Sequence, residues 1–341
     1  YYKRFGIKLE AFNQVNYNAY LHNSKALAGK PQRFRHVQTD VYGHVAELLS
    51  KATNQGALDQ SVSREDKERL LESLKAWGVL DKEYRYRASN AVSDFRGYDI
   101  DPGGGMMALA KPSTPMGLHE LLESNLWRQM GVGNIYEFHS TIFQPHGGMD
   151  MLPKALAKDL GQAIQYNARV TQIAQNDKAV TVSYTRNGAP QQVQADWCVC
   201  TIPLSILSQI EVQAGSAMQN AIAAVPYGSS MKVGLEFKRR FWEEDERIYG
   251  GISYTDLPIQ QISYPSTGYM GRGPAVLLGA YAFENSNSYR FSSLKPAERI
   301  RLALEYGAQI HPQYKQEFLN GVSVAWHRMP WINGCFGNWT D

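Results

Sequence analysis

Residues 164–185 read IQYNARVTQIAQNDKAVTVSYT, and this stretch decides the fold class. Apolar and polar residues alternate on either side of Asn176-Asp177, which is the period-two pattern of two strands joined at a turn. A hairpin here rules out an all-helical protein. Downstream, Asn187-Gly188 marks a second turn into VQADWCVCTIP (193–203), an apolar strand stopped by Pro203. MKVGLEF (231–237), LLGAYAF (277–283) and GVSVAW (321–326) suit further strands, and residues 295–310 form a helix begun by Pro296. Just upstream, LPKALAKDL (152–160) is a short amphipathic helix.

Before Met130 the periodicity is helical. Phe34, Val37, Val41, Val45, Leu48 and Leu49 recur at three- and four-residue steps after Pro31. Ser63 with Asp66 resembles a capping box ahead of Leu70, Leu71, Leu74 and Trp77, and Gly78 is the expected stop. A third helix carries Leu118, Leu121, Leu122, Leu126 and Met130. Between the last two, Gly103 to Gly105 form a loop; with no strand before them and no GK[ST] after, they do not make a phosphate loop. Helices followed by mixed strands make the fold class α+β.

Composition narrows the function. The 341 residues are 43% apolar and 20% charged, ordinary globular values that exclude a disordered chain. No run approaches the ~20 apolar residues of a membrane span. A net charge of +3 spread along the chain provides no concentrated footprint for nucleic acid. Three cysteines cannot close a disulfide framework; Cys198 and Cys200, on one face of an apolar strand, read as buried thiols. The eight histidines lack zinc-like spacing, so His146 and His327 read as satisfied polar residues, and no metal is expected. GxSxG, GxxxxGK[ST] and GxGxxG are all missing.

Several segments, in order, resemble the flavin-containing amine oxidases, and most closely the L-amino-acid oxidases. FQPHGGMDMLPKALAKDL (143–160) is similar to the family's Gly-Gly-Met turn and helix beside the flavin. ARVTQIAQNDKAVTVSY (168–184) with VQADWCVCTIP resembles its adenine-side hairpin and sequel. The most specific run is VPYGSSMKVGLEFKRRFWEEDERIYGGISYTDLPIQQISYP (225–265), which combines a lysine strand, an FW pair and a GG-x(3)-TDLP segment. AWHRMPWINGCF (325–336) resembles the Trp segment that reaches the flavin.

The resemblance implies FAD as cofactor and oxidative deamination of an L-amino acid to a keto acid, ammonia and hydrogen peroxide, with O2 as oxidant. It makes Lys232 the catalytic lysine that holds a water against flavin N5; the alternative is a strand lysine that snorkels. It places Gly147, Gly148, Met149, Val170, Trp326, Trp331 and Cys335 at the cofactor, and Tyr281 and Phe336 at the substrate. Each has a plainer reading: a permissive turn for the glycines, a core strand for Val170 and Tyr281, core aromatics for the rest. Cys335 falls where monoamine oxidases carry the cysteine bonded to flavin, whereas amino-acid oxidases usually have a small residue there and hold FAD non-covalently.

By the same resemblance, the sequence looks like an internal portion that lacks the N-terminal GxGxxG and the C-terminal FAD-binding segment. The arginine that pairs with the substrate carboxylate is also missing, and Arg4 is not an obvious replacement. The expected layout is a substrate-domain segment at 1–18, a helical domain at 19–140, an inner part of a Rossmann-like FAD-binding domain at 141–212, and a mixed-sheet substrate-binding domain at 213–341. Two functions stay open: a flavoenzyme acting on an amino acid or an amine, with a second chain as one source of the missing FAD segments, or an inactive remnant that serves as a binding module. A homo-oligomer is compatible with either.

Overall fold

In the computed structural model, described over residues 1–58, 61–103, 109–138, 142–283 and 285–338, the hairpin forms where the alternation requires it. Strands Ala168–Gln175 and Val180–Arg186 pair antiparallel, with Val170 opposite Tyr184. Asn176 closes the turn: its Oδ1 accepts the N–H groups of Lys178 at 2.9 Å and Ala179 at 3.0 Å, an Asx-type bond. At the next turn Asn187 (φ 52°) and Gly188 (φ 80°) are both left-handed, as a type I′ hairpin needs. The chain returns as Ala189–Ala195, and Glu211–Val212 adds a parallel strand on the far edge.

The expected strand through 193–203 stops early. It ends at Ala195, and Trp197 and Val199 are each 89% exposed. Cys198 and Cys200 are exposed free thiols, which corrects the buried reading. Their alternation is real, but a strand needs a neighbour to bond its N–H and C=O groups, and no described sheet includes residues 197–202.

The other main sheet has seven strands, in the order Phe318–Ala325, Met231–Phe237, Ala275–Ala282, Gln261–Ser263, Ile252–Thr255, Tyr20–His22 and Gln32–Arg33. Met231, Val233, Leu235 and Phe237 are fully buried, while Lys232, Gly234 and Glu236 on the other face are half-buried. The core lies on the first face. Phe237, Phe241, Trp242, Phe291 and Tyr314 fill it, with Phe237 and Tyr314 centroids 4.8 Å apart, and helix Pro296–Gly307 lies against the strands. The helix begins at Pro296 as expected and ends three residues short of Ile310. The lysine face is thereby left for a cavity.

Gly251 joins an early segment to this sheet. Its φ is +86°, and a Cβ there would lie 2.3 Å from the Asn16 Cβ and 2.9 Å from the Asn16 amide nitrogen. Only glycine lets the two backbones approach so closely. The Gly251 N–H donates to the Asn13 carbonyl at 2.8 Å, and the Asn16 amide donates to the Gly250 carbonyl at 2.9 Å. The glycine pair of the GG-x(3)-TDLP segment thus fixes residues 13–16 beside the cavity.

The helical region contains Phe34–Asn54, Arg64–Gly78, Asn90–Arg96 and Leu118–Ser124. Ser63 Oγ accepts the Asp66 N–H at 3.0 Å, and Val79 turns left-handed after Gly78, so both helix ends match the sequence signals. The third helix does not run to Met130. Asn125 at φ 56° ends it, and residues Leu126–Asn134 continue as 3-10 turns, since a left-handed residue cannot carry the α-helical bonding forward. Trp77 is not core: it is 46% exposed and stacks on Tyr42 with centroids 4.8 Å apart. The loop reading of Gly103 to Gly105 extends onto residues outside those described.

Candidate functional site

Lys232 and Tyr281 face each other across neighbouring antiparallel strands. The ammonium sits 4.2 Å from the tyrosine ring centroid, a cation–π contact whose worth rises as water is excluded. Burial lowers the Lys232 pKa, and the nearby Cys335 sulfur works the other way. Burial likewise pushes the Tyr281 hydroxyl up to about 12, with Cys335 adding to the rise. An amine that releases its proton more readily than a free lysine suits proton handling at an active site.

The pair lines a cavity of about 450 Å³ whose walls come from three parts of the chain. Phe12 and Gln14 belong to the segment held by Gly251, Phe138 to the turns after the broken helix, and Tyr254 to the long sheet. The break at Asn125 is what leads residues 126–138 to this wall instead of extending a rod away from it. Lys232 is the single charged side chain lining it among the described residues.

A second cavity, of about 580 Å³, opens beside the hairpin. Arg169, Val170, Ile202, Pro203, Ile206 and Trp331 line it. Trp331 holds φ +70°, a conformation a bulky residue adopts only where the surroundings impose it. The Arg169 guanidinium lies 5.3 Å from the Trp331 ring centroid.

Residues 326–336 connect the two cavities. Trp326 donates its N–H to Ser230 at 3.0 Å, two residues before Lys232, and Cys335 donates to Gly228 at 2.8 Å. Phe336 packs on Gly228, where a Cβ would meet its ring at 3.1 Å. Trp331 lines one cavity, while Cys335 lies near enough to the other to act on both Lys232 and Tyr281.

The sequence candidates therefore fall into two groups. Val170 and Trp331 meet in the larger cavity; Lys232 and Tyr281 meet in the smaller, with Cys335 close by. Gly147, Gly148 and Met149 line neither of these cavities. Gly147 (φ 90°) and Gly148 (φ 107°) make the turn into helix Met151–Leu160, and Met149 is 66% exposed. Arg4 is exposed, pairs with Asp159 at 3.3 Å and lines neither cavity. Sequence reasoning passed over Arg169 and the cavity-lining Tyr254 and Tyr264. Arg169 reads as the solvent face of an alternating strand, and nothing in its neighbours marks it.

A half-buried lysine in one cavity and a larger, mainly apolar cavity are thus bridged by residues 326–336. The family model for flavin containing amine oxidoreductases matches residues 1–340, and the chain belongs to that family. YobN of Bacillus subtilis (strain 168), provisionally named an L-amino-acid oxidase, is 28% identical over 76% of this chain and 54% of its own length. The L-amino acid oxidase Bs29 of Bothriechis schlegelii is 26% identical over 85% of this chain and 57% of its own. The chain thus spans just over half the length of these relatives. Among solved structures, wild-type putrescine oxidase bound to putrescine superposes with a TM-score of 0.58 at 15% identity, over 98% of this chain and 72% of that one, a likeness of fold.

The family's cofactor is FAD, and the larger cavity fits a flavin nucleotide in chemical character. Its lining is apolar and aromatic, it carries a cation, and no acidic residue lines it among the described residues.

Proposed function

We propose that this chain is the substrate-oxidising part of an FAD-dependent L-amino-acid oxidase. The observation that carries the reading is Lys232, half-buried against Tyr281 in a cavity with no other charged side chain among the described residues. Bound FAD, held in the larger cavity by Val170 and Trp331, would supply the two-electron oxidation of the substrate with O2 as the final oxidant. The chain's own residues orient the substrate and handle protons. Lys232 holds a water and moves its proton, aiding hydrolysis of the imine to keto acid and ammonia. Tyr281 donates a hydrogen bond from its hydroxyl to the substrate carboxylate, a role its raised pKa suits because the phenol stays protonated. Phe12, Phe138 and Tyr254 exclude water and accept the side chain.

The names of the curated relatives favour an amino acid over an amine as substrate. The test is a peroxide-coupled screen of L-amino acids and primary amines with the full-length flavin-loaded protein, alongside Lys232→Met. Wild type is expected to turn over amino acids. Lys232→Met, which keeps the stem and removes the amine, should lose at least about 100-fold, the scale of one positioned proton-transfer group, while its thermal unfolding midpoint holds or rises because a buried amine costs desolvation. A flavin-loaded wild type that releases no peroxide with any amino acid would sink the proposal; turnover of amines alone would move it to the amine-oxidase reading.

A further inference from the structure

Among the described residues, Arg169 is the one charged side chain on the larger cavity. It also lines the adjoining cavity of about 330 Å³ formed with Thr171, Gln209, Pro330 and Asn333. Among the described residues no carboxylate forms an ion pair with it, whereas most arginines of the helical region and the long sheet are paired, Arg96 with Asp40 and Arg239 with Asp245 among them. Its guanidinium carbon lies over the Trp331 ring, 5.3 Å from the centroid, and Trp331, with its left-handed backbone, lines the cavity. A cation–π contact uses no N–H donor in a conventional hydrogen bond, and no described residue accepts one from this side chain, which leaves the fork of donors for a ligand. An unpaired planar cation with free donors beside a nucleotide-sized apolar cavity suits a phosphate, which takes two parallel N–H bonds from one arginine.

We infer that Arg169, braced by Trp331, binds a phosphate of the flavin dinucleotide. The inference rests on the flavoenzyme reading above, and it assigns this chain's own contribution to the anionic part of the cofactor. The adenine end then lies against Val170, Ile202, Ile206 and the other apolar residues, with the flavin ring extending toward Lys232, while the charge is met by Arg169. Loss of the arginine removes a phosphate contact and leaves the apolar binding surface intact.

The test titrates deflavinated full-length protein with FAD and, separately, with riboflavin, which has the ring system but no phosphate. Arg169→Gln is expected to weaken FAD by about 10- to 100-fold, the span of hydrogen bonds to a charged group, and to leave riboflavin within about twofold. Arg169→Lys, which keeps the charge without the fork, should recover part of the loss. Wild-type FAD affinity should fall with added salt while riboflavin affinity does not, a measurement that requires no variant to fold. Equal weakening of FAD and riboflavin in Arg169→Gln would show that Arg169 only steadies Trp331 and would overturn the assignment. So would an unchanged FAD affinity, or salt independence in the wild type. A wild type that binds neither ligand overturns the flavoenzyme reading itself, and Arg169 with it.

Discussion

Cys335 concentrates the question of how the cofactor is held. It is a free, half-buried thiol near Lys232 and Tyr281, opposing the lowering of the lysine pKa by burial and adding to the rise of the tyrosine's. A thioether to flavin would consume the thiol; non-covalent holding of FAD, as the resemblance to amino-acid oxidases implies, would leave it free. Because the 225–265 run leans to that kind, denatured full-length protein should release all of its flavin and retain Cys335 at unmodified mass in a tryptic digest. A peptide heavier by one flavin would reverse this. The candidate residues were legible unevenly. Lys232 stood out because an amine inside an apolar strand demands an explanation. Arg169 did not, because a charged residue at an alternating strand position looks like ordinary solvent exposure until Trp331, far away in sequence, is seen beside it.

At the scale of elements, helix Phe34–Asn54 is tied to its neighbours through Asp40. The carboxylate is fully buried and accepts from Tyr86 at 2.7 Å, Arg96 at 2.9 Å and the Met116 N–H at 3.0 Å. Burial raises its pKa, and these partners act against the rise. Asp40→Ala would strand a buried guanidinium, and should lower stability by about 3–5 kcal/mol, read as a fall in the urea midpoint at unchanged slope. His36, one turn earlier, is held down to about 3 by burial, then by Arg96, Arg33 and Arg35, with only Asp99 opposing. Its folded pKa lies below the unfolded value near 6.5, so the unfolded chain takes up the proton first as pH falls. Stability should therefore drop between about pH 6.5 and 3, by less than about 1.4 kcal/mol per pH unit for a partly exposed group. His36→Gln should flatten the dependence of urea midpoint on pH across that window; an unchanged slope would show that the histidine titrates freely. Helix starts were legible here because capping is local, as at Ser63, whereas the break at Asn125 was not, since Leu126 and Met130 continue the periodicity past it.

Across the whole molecule, burial is divided unevenly. The long sheet alternates fully buried and half-buried side chains and carries the largest core cluster, yet no described residue from 146 to 205 is buried. The hairpin sheet there has correct turns and a full ladder, but a ladder without a packed face is marginal in water. Its alternation was legible precisely where periodicity and turn chemistry act locally, and the failure of residues 197–202 to pair follows from a neighbour that local pattern cannot supply. Native-state hydrogen exchange on this 341-residue chain should therefore split. Amides of Met231–Phe237, bonded on both sides, should exchange only through global unfolding, while those of Val180–Arg186, equally bonded on both sides, should exchange through local opening that barely responds to low denaturant. The comparison isolates side-chain burial from hydrogen bonding, because both strands are central in their sheets. Equal protection in the two would mean that the ladder itself, and not the packed face, sets the stability of this fold.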